Sequence, residues 1–247
     1  MSHTFVTSFI DLNILETRSG EKSSNTYKNL GHSLLNLPFN FIVFMDSETR
    51  KSFPPDSDRV KFIIQELKDF PIYNEIDKST VSLQSKTLTP TKDSYNYMVL
   101  MLSKTYMVKC AILSGLFKTD RYSWIDFGIL HIINQNESDI FYKSMVKINE
   151  YTSSTKKIRI PGCYCDRIVG YKIIVDVPDW TFCGGFFSGE VAELLEFSKK
   201  VEDSIKIFKE LKFICWEVNL WAYLYRLDST IFDWYLADHK ISMLSNF

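Results

Sequence analysis

Nothing in this sequence approaches the ~20 consecutive apolar residues of a membrane-spanning helix, so no integral membrane segment is expected. An excess of one charge is missing too. The 29 Lys and Arg against 30 Asp and Glu leave a formal net charge of −1, which gives a polyanion no footprint and argues against nucleic acid as a partner. Cysteine is sparse: five residues, odd in number and scattered, do not make a disulfide framework. Cys163 and Cys165 are the one close pair, and their one-residue gap does not match the usual spacing of zinc ligands. There is no G-x-S-x-G, P-loop, G-x-G-x-x-G or Cys-x-x-Cys, which argues against serine hydrolases, nucleoside triphosphatases, Rossmann dehydrogenases and zinc ribbons. The start, Met1–Ser2–His3–Thr4, has no basic segment before its apolar stretch, so no secretory signal is expected. A reducing, cytoplasmic setting follows as the expectation. Internal repeats, low-complexity tracts and linkers are also lacking, and residues 1–247 are read as a single domain.

What the chain does have is aromatic side chains, 15% of all residues with 19 Phe, 13 Tyr and 5 Trp, enough for a large core or a ligand-stacking cleft. Phe5–Ile10 and Phe39–Met45 read as strands, apolar with β-branched and aromatic residues. Between them, Leu30, Leu34, Leu35 and Leu37 suggest a helix that Pro38 stops. Val60, Ile63, Ile64 and Leu67 fall at helical spacing and predict a helix over Val60–Phe70. Ser79–Asp93 is polar and reads as irregular, and Tyr95–Lys109 reads as one buried helix. Arg121–Ile132 is the next strand. This alternation predicts an α/β fold with a central, mostly parallel mixed sheet flanked by helices. Farther on, Phe141–Ile148 suggests a short helix, Lys156–Ile160 and Val169–Val177 suggest strands, and Val191–Leu211 and Phe213–Arg226 suggest helices.

A few polar residues stand out against apolar surroundings. Asp126 interrupts the Arg121–Ile132 run, and burying an ionised carboxylate without a partner costs several kcal/mol. Either it caps or pairs within the structure, or it serves a metal or substrate at a strand end. Glu217 lies in an apolar helical stretch and needs a partner or a task. Lys104 sits within a buried helix, where an ammonium should find an acid or a phosphate, unless it snorkels to the surface. His239 follows Asp238 and offers an imidazole as metal ligand or base, although a lone His is often structural. The glycines of Cys183–Gly184–Gly185–Phe186–Phe187–Ser188–Gly189 let backbone approach an anion or sugar, or simply form a turn.

Taken in order, these segments resemble a known family. Thr4-Phe-Val-Thr-Ser-Phe9, Leu102-Ser-Lys-Thr-Tyr-Met107, Phe117-x-Thr-Asp-x-Tyr-x-Trp-Ile-Asp-Phe-Gly-Ile129, Cys183-Gly-Gly-Phe-Phe-x-Gly189, the Trp216–Glu217 pair and Tyr235-x-x-Asp-His239 are similar to the HtrL/YibB-like proteins. That group itself resembles glycosyltransferases of the GT-A type. The resemblance implies a single GT-A-like domain, with a nucleotide-sugar-binding half over about residues 1–132 and an acceptor-binding half over about 133–247. It implies that Thr7 and Phe9 hold the nucleotide, that Lys104 points to phosphate, and that Gly184 and Gly185 begin a loop over the donor sugar. Asp126 would take the first position of an Asp-x-Asp motif and bind Mn²⁺ or Mg²⁺ with His239, and Glu217 would contact the acceptor or act as base. Gly128 stands where the second aspartate of that motif is expected. The implied activity is transfer of a sugar from a nucleotide-diphospho sugar to a glycan or other hydroxyl acceptor. The alternatives are a non-catalytic sugar- or protein-binding module that keeps the fold without turnover, and a sugar-nucleotide hydrolase that shares the same residues.

Overall fold

A computed structural model describes residues 3–16, 23–83, 93–152, 155–163, 173–174 and 177–247. Within them the chain runs β1 (His3–Phe9), α1 (Leu12–Leu15), α2 (Ser24–Leu35), β2 (Asn40–Met45), α3 (Ser47–Arg50), β3 (Val60–Ile64), α4 (Pro71–Glu75) and β4 (Ser82–Leu83). It continues α5 (Tyr95–Leu102), α6 (Lys104–Ser114), β5 (Arg121–Ile125), α7 (Ser138–Glu150), β6 (Ile158–Gly162) and β7 (Phe186–Glu190). The last elements are α8 (Val191–Leu211), β8 (Phe213–Ile214), α9 (Glu217–Leu227), β9 (Phe232–Leu236) and α10 (Ser242–Ser245).

Seven strands form one sheet in the order β3-β2-β1-β5-β7-β6-β9. The strands from β3 to β5 are mutually parallel, β7 runs antiparallel to both β5 and β6, and β9 is parallel to β6. The sheet is therefore mixed and mostly parallel. Successive side chains on a strand point to opposite faces, and both faces here are apolar, as expected of a sheet covered on two sides. Val6, Ile42, Phe44 and Trp124 meet α5, α6, α8 and α9 on one face. Phe5, Phe41, Val43 and Ile125 meet α2, α7 and α10 on the other.

Four segments differ from their sequence reading, among them Phe213–Arg226, whose first residues, Phe213–Ile214, pair with β4 as β8 before the helix starts at Glu217. Val60–Ile64 is a strand rather than the start of a helix: its run of β-branched and aromatic residues adds a parallel edge to β2, and only Leu67–Asp69 takes a helical turn. The helix over Tyr95–Lys109 is two, bent by 45° between Leu102 and Lys104. There the Ser103 hydroxyl donates to the Val99 carbonyl at 2.7 Å, a back-bond of the kind that bends helices. The strand over Arg121–Ile132 ends at Ile125, so Asp126 lies just past its C-terminal end, and Ile129–Ile132 is a 3-10 turn. Most of the Val169–Val177 strand and part of Ser79–Asp93 lie outside the described residues. Among the described residues no single helix is long and apolar enough to cross a membrane; the bent α5–α6 pair has the length and composition only when its two helices are taken together, and it packs into the core.

Candidate functional site

In the sheet order, β1 is followed on one side by β2 and on the other by β5, so the chain's direction of winding reverses between β1 and β5. Such a reversal splays the loops that leave two neighbouring parallel strands and opens a crevice at their carboxyl ends. A cleft of about 170 Å³ lies at that point. Ser8 to Asn13 line it at and beyond the end of β1, and Asp126 to Gly128 line it after β5. Tyr27 of α2 and Tyr97 and Met101 of α5 close its sides. Phe9 stacks on Phe127, with ring centroids 5.2 Å apart and planes 9° from parallel, and on Tyr27 at 5.9 Å.

Of the two carboxylates that line this cleft, Asp126 is the more exposed, its side chain 38% accessible against 5% for the whole of Asp11. Asp126 Oδ1 accepts from Trp124 Nε1 at 2.7 Å and lies 3.0 Å from Lys104 Nζ. Trp124 and Asp126 are two residues apart at the end of an extended segment, so both side chains project to the same face. Lys104 opens α6, where an ammonium opposes the positive end of the helix dipole. It is tolerated because two acids and a carbonyl surround it. Besides Asp126, Nζ donates to Glu217 Oε1 at 2.8 Å and to the Gly184 carbonyl at 2.9 Å. Glu217 opens α9, where a carboxylate is favoured.

Lys104 is 1% exposed and Glu217 2% exposed. Burial alone would pull the ammonium's pKa down, but Asp126 and Glu217 outweigh it and hold the Lys104 pKa above its ordinary value. Burial pushes the Glu217 pKa up against the opposing pull of Lys104. Glu217 Oε2 is buried without a hydrogen-bond partner. One ammonium thus faces two carboxylates, Glu217 and Asp126, and the three together leave a single negative charge beside a cleft that Asp11 also lines.

The glycines have distinct reasons to be glycine. A Cβ on Gly184 would sit 2.4 Å from Glu217 Oε1, so the Lys104–Glu217 pair needs that backbone bare. The Gly185 carbonyl accepts from Asp126 N at 2.9 Å and fixes the Asp126 backbone to the start of β7. At Gly128, a Cβ would lie 2.7 Å from Tyr27 Cε1, so no side chain enters there while Tyr27 keeps its place.

The structure thus brings Lys104, Asp126, Glu217 and the Gly184–Gly185 turn together behind the cleft, which Asp126 and Phe9 line and the other four do not. Thr7 is fully buried in β1, in register with Val43, and is not a lining residue. His239 is exposed, and its Nε2 lies 3.8 Å from Cys163 Sγ, which is 2.9 Å from Cys183 Sγ. The Cys163 thiol is pulled down to about 5, first by its hydrogen bond with Cys183 and, against burial, by His239. Sequence reasoning passed over Tyr27, Tyr97 and Asp11. Asp11 lies two residues past the end of β1 and is 5% exposed, with Oδ1 accepting from Asn13 N and Ser24 Oγ. Its place after an apolar strand was the available signal.

A family model described as "Bacterial protein of unknown function (HtrL_YibB)" matches residues 1–210. The chain belongs to the HtrL_YibB family. The match spans β1 through most of α8 and includes Lys104, Asp126, Gly184 and Gly185, while Glu217 and His239 lie beyond it. No curated protein matches the chain. Among solved structures, the chain is similar to mouse xyloside xylosyltransferase 1 in its apo form, with a TM-score of 0.47, 12% identity, and coverage of 95% of this chain and 85% of that one.

Proposed function

We propose that this HtrL_YibB member is a glycosyltransferase that takes a sugar from a nucleotide-diphospho sugar and passes it to a hydroxyl acceptor. The observation that carries this reading is the cleft itself, which lies outside the carboxyl ends of β1 and β5 where the strand order reverses, between stacked aromatic rings and a half-exposed carboxylate. The Phe9–Phe127–Tyr27 side offers a surface for a nucleobase. The Asp126 side faces the diphosphate.

The residues fit Mg²⁺ or Mn²⁺ held by one protein carboxylate, because such ions keep several waters and share substrate phosphates. Asp126 has the exposure for that role, with Lys104 and Trp124 engaging Oδ1 only, and Gly128 supplies no second carboxylate. His239 is left out of this set because it stands beside two thiols. When bound, the cation would neutralise charge on the leaving nucleoside diphosphate. Lys104 and Glu217 are positioning residues in this reading: the buried pair fixes Asp126 and the Gly184 carbonyl in one arrangement.

Incubation with a panel of UDP- and GDP-sugars and candidate glycan acceptors should release nucleoside diphosphate in step with acceptor modification. Release that is indifferent to acceptor would point to a hydrolase. A non-catalytic sugar- or protein-binding module is the second reading, favoured by Gly128, and it predicts donor binding with no release.

A further inference from the structure

The chain after β9 and the segment before the Gly184 turn both pack onto the end of β6. Gly162 bridges Phe182 antiparallel, with Cys163 N donating to the Thr181 carbonyl and Cys183 N to the Pro161 carbonyl, each at 2.9 Å. On the other side, Gly162 is in register with Leu236 and accepts from Ala237 N at 2.9 Å. Three hydrogen-bonded segments therefore each deliver one side chain to the same point: Cys163, Cys183 and His239. Their ligand atoms lie within 4.8 Å of one another, the one such group of three among the described residues. The partner of Cys163 is thus Cys183, twenty positions on, while Cys165 lies outside the described residues.

We infer that Cys163, Cys183 and His239 form a binding site for a zinc-type ion, with three protein ligands and an open fourth position. Two sulfurs and an imidazole nitrogen are the donor set that Zn²⁺ takes, and three protein ligands with one vacant position is a known arrangement for it. Zinc at its usual bond lengths would set the sulfurs about 3.7 Å apart and sulfur and nitrogen about 3.5 Å apart. The distance of 3.8 Å from Cys163 Sγ to His239 Nε2 is close to that already, and the sulfurs must open from 2.9 Å to admit the ion. Burial is graded across the site: Cys183 is buried, Cys163 half-buried and His239 exposed, which leaves the imidazole side open for entry. His239 is held edge-on against Trp180, with ring centroids 4.6 Å apart. Cys183 directly precedes Gly184, whose carbonyl binds Lys104, so the ion would pin the turn beside Asp126. The site stands whether or not the cleft binds a nucleotide.

The test is titration of the reduced, chelator-stripped full chain with Co²⁺, read by absorption. One equivalent should bind with a thiolate-to-cobalt charge-transfer band, and Zn²⁺ should displace it. Cys163→Ser and Cys183→Ser should each lose the band, His239→Ala should lose affinity, and Cys110→Ser, a change in α6, should keep both. Zn²⁺ should also protect two thiols of the unmutated chain from alkylation, a readout that needs no variant to fold. The inference is overturned if the reduced chain shows no thiolate band, or if the band survives Cys183→Ser. It is equally overturned if the two sulfurs are found as a disulfide that takes up no cobalt once reduced.

Discussion

Lys104 and Glu217 are 113 positions apart in sequence, yet Nζ and Oε1 meet at 2.8 Å with both side chains 2% exposed. Each opens a helix, α6 and α9, so the pair ties together two helix N-termini on one face of the sheet. Removing one partner of a buried pair strands the other charge, at a cost of ~3–5 kcal/mol. Lys104→Met should therefore destabilise by about that amount in urea unfolding. The double variant Lys104→Met/Glu217→Met should recover a substantial part, because no uncompensated carboxylate then remains at position 217. Additive losses in the two single variants would contradict the pairing.

Gly184→Ala should reproduce part of that loss without touching a charge. Its Cβ would fall 2.4 Å from Glu217 Oε1 and push the carboxylate off Lys104. A loss of ~1–3 kcal/mol, the usual range for overpacking, is expected. In the Glu217→Met background the same substitution should cost a different amount, since the atom it meets has changed.

At Gly128, where the family resemblance sets a second aspartate, restoring that residue should fail. The Cβ of Gly128→Asp meets Tyr27 at 2.7 Å, and Tyr27 belongs to the aromatic stack with Phe9. Destabilisation of ~1–3 kcal/mol is expected. Gly128→Asp/Tyr27→Ala should lose less than the two single changes added together. A stable Gly128→Asp variant in the Tyr27 background would show that the ring moves freely.

How much of this was legible in the sequence depends on the element. The strands over Phe5–Ile10 and Phe39–Met45 were readable because buried parallel strands are continuous apolar runs with β-branched and aromatic residues. Val60–Ile64 was not, since four apolar positions at mixed spacing satisfy a helical pattern equally well, and only pairing with β2 decides. Asp126, Lys104 and Glu217 each stood out as charges in apolar surroundings. That they answer one another is a tertiary fact, because α6, β5 and α9 meet only in the fold. Cys183 shows the same limit. Its neighbours suggested a glycine turn, while its sulfur partner lies at the far edge of a bridge twenty positions earlier.

His3 sets an acid limit on stability. It is 2% exposed, its Nε2 lies 2.9 Å from Ser123 Oγ, and burial, with Arg121 adding to it, lowers its pKa from 6.5 to about 3. The folded state holds this ring neutral, whereas the unfolded chain protonates it below about 6.5. The unfolded state binds more protons in that window, so stability is full above pH 6.5 and falls as pH drops toward 3. The slope from this residue approaches about 1.4 kcal/mol per pH unit. In urea midpoints measured across that range, His3→Gln should flatten the His3 part of the slope, and an unchanged slope would contradict the assignment.

In the function proposed above, Asp126 serves a cation and a diphosphate in the cleft between β1 and β5. Calorimetric titration of the chain with UDP and GDP, with and without Mn²⁺, tests it most directly. Binding should require the metal in the parent and be lost in Asp126→Asn, with the unfolding midpoint of that variant little changed because an asparagine Oδ1 can still accept from Trp124 and Lys104 keeps its bond to Glu217. No metal-dependent binding at millimolar nucleotide, or undiminished binding by Asp126→Asn, would contradict it.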